Sequence, residues 1–405
     1  MESLKAADPQ EIFNYLQFTA TSDGYEISVK SDRSAELSGD IVIPSTYKDK
    51  PVTSIPNSGF ENCTNITSII IPDSVSTIGF AAFKNCSSIT SITLPFVGKS
   101  QQASANESVF GYIFGHDWYN GTGNEPGFVN RQFGEVNGGT WQYTGIYEGY
   151  MRSFFYYIPQ SIKSVTITNQ TNIPDAAFNG CNNLTAINYT NGITHIGKAS
   201  FQNCINLSKL NGDETGTLVI PSTIAYIEES SFYGCRSFKQ LDLPQNLNRI
   251  GMSAFEGCAG LTDVVVPDSV HLIEIAAFRN CSSLKNITIP FIGKSKLSTK
   301  NESVFGYIFG QDWYNGTGNE SGFVNRQFGE VNGGTWQYTG MYEGYMRSFF
   351  YYIPQSLKAV TITDQTNIPT AAFNGCTMLE EITFKQNITD EGEAAFQNCS
   401  ATINK

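Results

Sequence analysis

The chain has 405 residues, 40% of them hydrophobic and only 15% charged, with a formal net charge of -12. No apolar run approaches the ~18 residues that a membrane span needs, and an acidic chain repels phosphate backbones and releases few counterions from them. A bilayer-spanning chain is therefore excluded, and nucleic acid is not an expected partner.

The first 18 residues, MESLKAADPQEIFNYLQF, hold neither a basic n-region nor an apolar h-region, so this stretch does not read as a secretory leader. From residue 16 to 43 apolar residues alternate around Asp23-Gly24, a hairpin signal. Residues 1–40 are read as an N-terminal cap and 41–405 as the body of the molecule.

Nine cysteines punctuate that body: Cys63, Cys86, Cys181, Cys204, Cys235, Cys258, Cys281, Cys376 and Cys399. Their separations are 23, 95, 23, 31, 23, 23, 95 and 23 residues, so a 23-residue unit is the module. Three residues before each cysteine stands a phenylalanine, from Phe60 and Phe83 to Phe373 and Phe396. Immediately before each cysteine stands Asn or Gly, as at Asn62, Gly180 and Gly257. These two types share a tolerance of positive φ, which predicts a left-handed residue ending a short helical turn in every unit.

Upstream of each turn comes a β-branched triplet, often closed by proline, as in Ile69-Ile70-Ile71-Pro72 and Val264-Val265-Val266-Pro267. Each reads as a short strand stopped where proline withdraws its donor. An apolar residue eight before the cysteine, for example Ile55, Ile78 or Ile250, should point inward. One unit cannot bury its Phe, Ile and Cys alone, so neighbours must stack, with the triplets forming one long parallel sheet. About eleven strand positions run from Ile41 to Ile382. The fold class expected is an α/β repeat, a solenoid of strands and short helical turns. Free thiols at one interior position per rung suit small buried hydrophobes better than disulfides or metal ligands.

Units such as IPDSVSTIGFAAFKNCSSITSI and VPDSVHLIEIAAFRNCSSLKNI resemble the BspA-like leucine-rich repeat family, and the resemblance covers most of residues 41 to 400. It implies a leucine-rich-repeat solenoid working as an adhesion or binding surface, on the cell surface or outside the cell. Neither a leader, a wall-sorting motif nor a C-terminal anchor is visible beside it. The last unit departs from the pattern too, with Glu391 in the inward position and no evident cap beyond it.

The 31-residue separation is one unit with NGDETGTL, residues 211–218, as a loop-like surplus. Each 95-residue separation is two units with 49 further residues. In both, one unit carries VFGYIFG in place of AFxxC and has been opened by an insertion, at about 106–157 and 301–352. Residues 106–168 and 301–363 differ at five positions only, including His116 against Gln311 and Pro126 against Ser321, which points to duplication of a 195-residue block.

The insertions contain all four tryptophans, with abundant Tyr, Gly and Asn. Aromatic rings offer large contact area at low entropic cost and Gly and Asn adapt, so this composition is that of a paratope. The candidate ligand-binding residues are Trp118, Tyr119, Trp141, Tyr143 and Tyr147 in the first copy, and Trp313, Tyr314, Trp336, Tyr338 and Tyr342 in the second. The competing reading is that the rings form a private core or cover a sheet edge.

Catalytic material is thin. The three histidines, His116, His195 and His271, fall on separate units, and the first two are Gln311 and Asp390 in the duplicate. No CxxC, HExxH, GxSxG or phosphate-loop pattern occurs, and the carboxylates are scattered. Asp117 and Glu125, with Asp312 and Glu320, match no ion loop and read as solvated turn residues. Neither cofactor, metal nor enzymatic activity is expected. The expected partner is a protein or glycan, with two like sites suited to a multivalent one; the alternative is an intracellular protein-interaction scaffold.

Overall fold

The computed structural model describes residues 11–115, 135–136, 139–148, 152–211, 215–310, 334–343 and 347–405. Two compact units divide the chain, Met1–Glu214 and Thr215–Lys405. In the first, six short strands line up in parallel: Ser38–Val42, Asn65–Ile70, Ser91–Leu94, Ser164–Ile167, Ala186–Tyr189 and Lys209–Leu210. In the second, seven do so, from Thr217–Val219 to Thr402–Asn404. The β-branched triplets alternate as their period of two demands. Ile69 and Ile71 are buried and Ile70 faces out, and Val264, Val265 and Val266 repeat the pattern.

The single long sheet expected from the sequence is thus two sheets, one in each unit, and among the described residues they hold thirteen strands where about eleven were expected. A second ladder, not foreseen, runs beside each sheet. The inward isoleucines eight before the cysteines sit on two-residue parallel strands such as Asn172–Ile173 on His195–Ile196, and Tyr226–Ile227, Arg249–Ile250 and Leu272–Ile273 in series.

The α/β assignment is corrected as well. Among the described residues there is no α-helix, only five short 3-10 segments, and the AFxxC corners are irregular turns. The reason lies in the backbone. The residue before each cysteine is left-handed as expected, with φ of 63° at Asn62, 75° at Gly180 and 71° at Gly257. A second left-handed residue stands four positions earlier, always Ala or Ser: Ser58, Ala81, Ala176, Ala199, Ser230, Ser253, Ala276, Ala371 and Ala394. Only three residues separate the two, too few for an i to i−4 turn. The corner amides turn outward along the solenoid instead. Phe60 N–H donates to Ala82 O at 2.7 Å and Asn62 N–H to Lys84 O at 2.9 Å, and Phe255 and Gly257 donate likewise to Ala277 and Arg279. Corners therefore bond rung to rung, as strands do.

Inside the corner the phenylalanines stack. Ring centroids lie 5.5 Å apart for Phe60 and Phe83, 5.7 Å for Phe232 and Phe255, and 5.6 Å for Phe255 and Phe278. Eight cysteines are free and buried, and Cys399 on the last rung is partly exposed. Four of these thiols donate to the phenylalanine carbonyl of the preceding rung, Cys86 to Phe60 at 3.2 Å, Cys204 to Phe178 at 3.1 Å, Cys258 to Phe232 at 3.2 Å and Cys281 to Phe255 at 3.3 Å. At the C-terminal end Phe396 stacks on Phe373 at 5.7 Å, with Lys405 Nζ 5.3 Å over its outer ring. Glu391, the charged residue in the inward position, is exposed and pairs with Lys405.

Replacing Phe255 by Ala removes a ring held between two others and should cost about 3–5 kcal/mol, read from denaturant unfolding. The thiols make a second prediction. Burial pushes Cys63 up to about 12 and pushes Cys181, Cys204, Cys258 and Cys281 well above the ordinary thiol range. A raised folded pKa means that the stabilisation is complete below the unfolded value of ~8.5 and is lost as pH rises toward the folded one. Stability should therefore fall from about pH 9 upward, with a shallower fall in Cys258→Ala, and a thiol reagent at neutral pH should modify Cys399 well before any other cysteine.

Candidate functional site

Each insertion grows from the unit that lacks a cysteine. In the first copy, Phe110–Phe114 forms a fully buried 3-10 turn where other rungs have their corner. Phe110 takes the spine position, its ring 5.4 Å from Phe178 and 5.3 Å from Phe114. The turn inherits the inter-rung bonds of a normal corner: Phe83 N–H donates to Ile113 O at 2.8 Å and Phe110 N–H to Ala177 O at 2.9 Å. The inter-rung backbone bonding therefore passes through this rung, and Phe110 joins the ring stack on its Phe178 side.

The chain leaves the rung at Gly115 and returns at Tyr156 and Tyr157, where Tyr157 N–H donates to Gly115 O at 2.9 Å. Exit and entry are adjacent, so a long excursion closes without displacing a neighbour. By their bonding, Phe110–Phe114 and the residues from Tyr157 onward are part of the rung. In the second copy Tyr352 N–H meets Gly310 O at 3.1 Å, Phe305 lies 5.1 Å from Phe373, and Phe278 N–H donates to Ile308 O at 3.0 Å.

Above this neck stands an antiparallel hairpin, Gly139–Glu148 on Arg152–Pro159, repeated as Gly334–Glu343 on Arg347–Pro354. One residue of the first hairpin locks it to the solenoid. Gln142 is completely buried; its Oε1 accepts from Gly111 N–H and its Nε2 donates to the carbonyls of Ala177 at 2.9 Å and Ala176 at 3.1 Å. Tyr156 packs against the same glycine, where an added Cβ would stand 2.3 Å from the Tyr156 Cβ. In the second copy Tyr351 is buried and its hydroxyl donates to Asn301 O at 2.9 Å. These anchors were not singled out from the sequence; a glutamine between two aromatic residues carries no signal of burial.

Of the candidate ligand-binding residues, Trp118, Tyr119, Trp313 and Tyr314 lie outside the described residues. Trp141, Tyr143 and Tyr147 share the strand Gly139–Glu148, paired with Tyr157, Phe155 and Ser153, and Trp336, Tyr338 and Tyr342 share Gly334–Glu343, paired with Tyr352, Phe350 and Ser348. Their side chains lie outside the described residues. The backbone thus brings three candidates of each copy onto one strand.

The outer face of the main sheets is a second candidate surface. In the first unit it exposes Val42 and Ile70, and in the second Val219 and Val265, with in-register threonines such as Thr288, Thr361 and Thr383. Asp40 accepts from Thr67 and Ser68 on this face, and the Ser68 hydroxyl, then that of Thr67, holds its carboxyl below the usual range. Among the described residues no three His, Cys, Asp or Glu side chains cluster as a metal site would need, and no helix is long and apolar enough to cross a membrane.

A family model described as the BspA type leucine-rich repeat region matches six copies, over residues 40–111, 150–217, 212–308 and 345–405. The chain belongs to the BspA-type leucine-rich repeat family. Its members are generally non-enzymatic binding scaffolds, and no catalytic family is indicated. Similar solved structures include a leucine-rich repeat protein from Bacteroides ovatus, at 19% identity and a TM-score of 0.43, covering 96% of this chain and 80% of that one. A leucine-rich cell surface protein from Faecalibacterium prausnitzii is 16% identical, with a TM-score of 0.22 and coverage of 95% and 96%. The pneumococcal vaccine antigen PcpA is 13% identical, with a TM-score of 0.30 and coverage of 97% and 98%. No curated protein sequence matches the chain.

Gln142→Leu should strand the Gly111 amide in a dry neck, while Ala177 O keeps the Phe110 N–H, at a cost of about 1–3 kcal/mol. Hydrogen exchange should show Gly111 losing protection while Gly306, its counterpart, keeps it.

Proposed function

We propose that this BspA-type repeat protein is a non-enzymatic adhesion or binding protein of the cell surface or the extracellular space. It recognises a protein or glycan partner through the aromatic insertions, with the outer sheet face as an adjoining surface. The observation that carries this reading is an internal comparison. In the duplicated block, residues 73–90 and 268–285 differ at seven of 18 positions, whereas residues 106–168 and 301–363 differ at five of 63. Both pairs arose together. In the framework the kept residues include the buried Val75, Ile78, Ala82, Phe83 and Cys86 and the exposed Asp73, Asn85, Ser87 and Ser88, and six of the seven substitutions, such as Ser76 against His271, fall on exposed or half-buried positions, Ile89 against Leu284 being the buried one. Core packing alone preserves a buried subset of a segment; the insertions keep their Trp, Tyr, Asn and Gly as a whole. Retention of a complete aromatic and glycine-rich set fits a recognition surface used twice.

Two like sites on one chain favour a repetitive partner, since the second contact is made at the effective concentration set by the first. The test is a glycan and protein array screen with the intact chain, followed by binding of alanine variants to the hit on a dense surface. One variant replaces Trp118, Tyr119, Trp141, Tyr143 and Tyr147, a second replaces Trp313, Tyr314, Trp336, Tyr338 and Tyr342, and a third combines them, each with its melting curve recorded. Losing one set should weaken binding by roughly 10²-fold or more, as loss of avidity does, and losing both should abolish it. A folded combined variant that binds as well as the parent would refute the proposal.

A further inference from the structure

The N-terminal hairpin extends the second ladder outward. Leu16–Ala20 pairs antiparallel with Tyr25–Val29, which pairs in parallel with Lys50–Ile55, and that strand continues to Thr77–Ile78. Among the described residues Leu16–Ala20 is consequently the last strand at this end, with one neighbour only. The bonds that frame the hairpin, Lys30 N–H to Tyr15 O at 2.8 Å and Thr21 N–H to Gly24 O at 3.0 Å, turn the odd-numbered residues toward the neighbour. Antiparallel alternation then aims the N–H and C=O groups of Leu16, Phe18 and Ala20 at the open edge, and no described residue bonds to them.

Open edges are ordinarily protected by charge, proline or a bulge. In the second unit the strand Asp390–Glu391, which pairs only with Asn367–Ile368 among the described residues, carries two acids and an ion pair to Lys405. The outermost main-sheet strand, Ser38–Val42, carries Asp40. Leu16–Ala20, with the sequence LQFTA, has neither charge nor proline and pairs with its neighbour without a register shift. Beside it lies an aromatic cluster. Phe18 stacks on Tyr47 at 3.9 Å, Tyr25 stands edge-on to Tyr47 at 5.0 Å, and Phe13, 36% exposed, lies 5.7 Å from Phe18.

We propose that this edge pairs with the same edge of a second copy of the chain, forming a head-to-head dimer about a two-fold axis at Phe18. The strand is self-complementary at each position. Pairing centred on Phe18 sets Phe18 against its own copy, Leu16 against Ala20, and Gln17 against Thr19. The three open residues form hydrogen-bonded pairs, and the exposed Gln17 and Thr19 meet as a close non-hydrogen-bonded pair of neutral polar side chains. The two aromatic clusters join across the axis, since Phe18 belongs to both the edge and the cluster. In a chain of net charge -12 this uncharged strand is a place where two copies approach without setting like charges face to face. Because the strand terminates the ladder, the rungs behind it lead away from the contact in both copies. A dimer would double the insertions presented by each particle, but its existence does not depend on what they bind.

The test is sedimentation velocity of the intact chain from roughly 1 to 100 µM, the range in which interfaces of this kind exchange. A concentration-dependent monomer–dimer equilibrium is expected. Gln17→Lys/Thr19→Lys places like charges opposite one another twice and should weaken the dimer by about tenfold or more, whereas Gln17→Lys/Thr19→Glu places opposite charges there and should restore it. Both residues are exposed, and unchanged melting temperatures would show that the cap is intact. A parent that stays monomeric throughout overturns the proposal. A dimer indifferent to the double lysine variant overturns it also, as does a lysine–glutamate variant no tighter than the double lysine one.

Discussion

The burial of one phenylalanine per rung is the constraint on which the structure depends. A 23-residue unit has too little chain to surround an aromatic ring, so Phe255 is buried by the Phe232 ring below it and the Phe278 ring above, each about one rung away. Each such burial is worth about 1.5–3 kcal/mol in transferred area. Spacing between stacked ring centroids and spacing by strand pairing are nearly the same distance, ~5 Å, so sheet and spine stay in register, the irregularity at Gly39/Asp40 lying in the first pair of main-sheet strands. The left-handed Ala or Ser in each corner follows from this. It costs about 1–2 kcal/mol, but it swings the corner amides onto the next rung, satisfying groups that would otherwise be buried unpaired.

The cysteine slot shows how tightly the corner is specified. A thiol is small, apolar in bulk and able to donate weakly, and the carbonyl it meets belongs to the phenylalanine one rung away. Where cysteine is missing, the replacement VFGYIFG does not imitate the corner residue by residue. It keeps the spine ring through Phe110 and Phe305, and it keeps the inter-rung bonds through Ile113 and Ile308. With those two requirements met, the chain is free to leave at Gly115 and return beside it. The insertion is accordingly a substitution of one corner, locked by Gln142, rather than a loop appended to a finished rung.

What the sequence revealed and what it concealed divide along the same line. Features enforced by side-chain volume were legible: the 23-residue period, the inward Phe, Ile and Cys, and the glycine or asparagine at φ near 70° before each thiol. Features enforced by backbone hydrogen bonding were not. Alanine at positive φ has no signature, because alanine is also the best helix former, and Ala81-Ala82-Phe83 therefore reads as the start of a helical turn. The two-residue strands around Ile78 and Ile250 are too short to show a period. The break between the two sheets was visible as the surplus at 211–218, but its consequence for pairing was not. In the candidate site the aromatic composition was evident at once, whereas Gln142 and Tyr156, which fix the hairpin, look no different from their exposed neighbours in a strand.

A solenoid whose interior is satisfied neighbour by neighbour transfers its unsolved problems to its ends. Within a unit, an internal corner such as that of Phe255 and Cys258 has partners on the rungs to either side, whereas a terminal rung has a partner on one side only. The C-terminal end meets this with charge. Lys405 covers the outer face of Phe396 and pairs with Glu391, so that a position which is isoleucine elsewhere can be acidic without burying a charge. The N-terminal end meets it with more chain: the hairpin adds two strands to the second ladder and buries Leu16 and Ile27. That solution moves the open edge outward by two strands without removing it. An end closed by charge stops the ladder, whereas an end closed by an uncharged strand hands the same problem to whatever strand comes next.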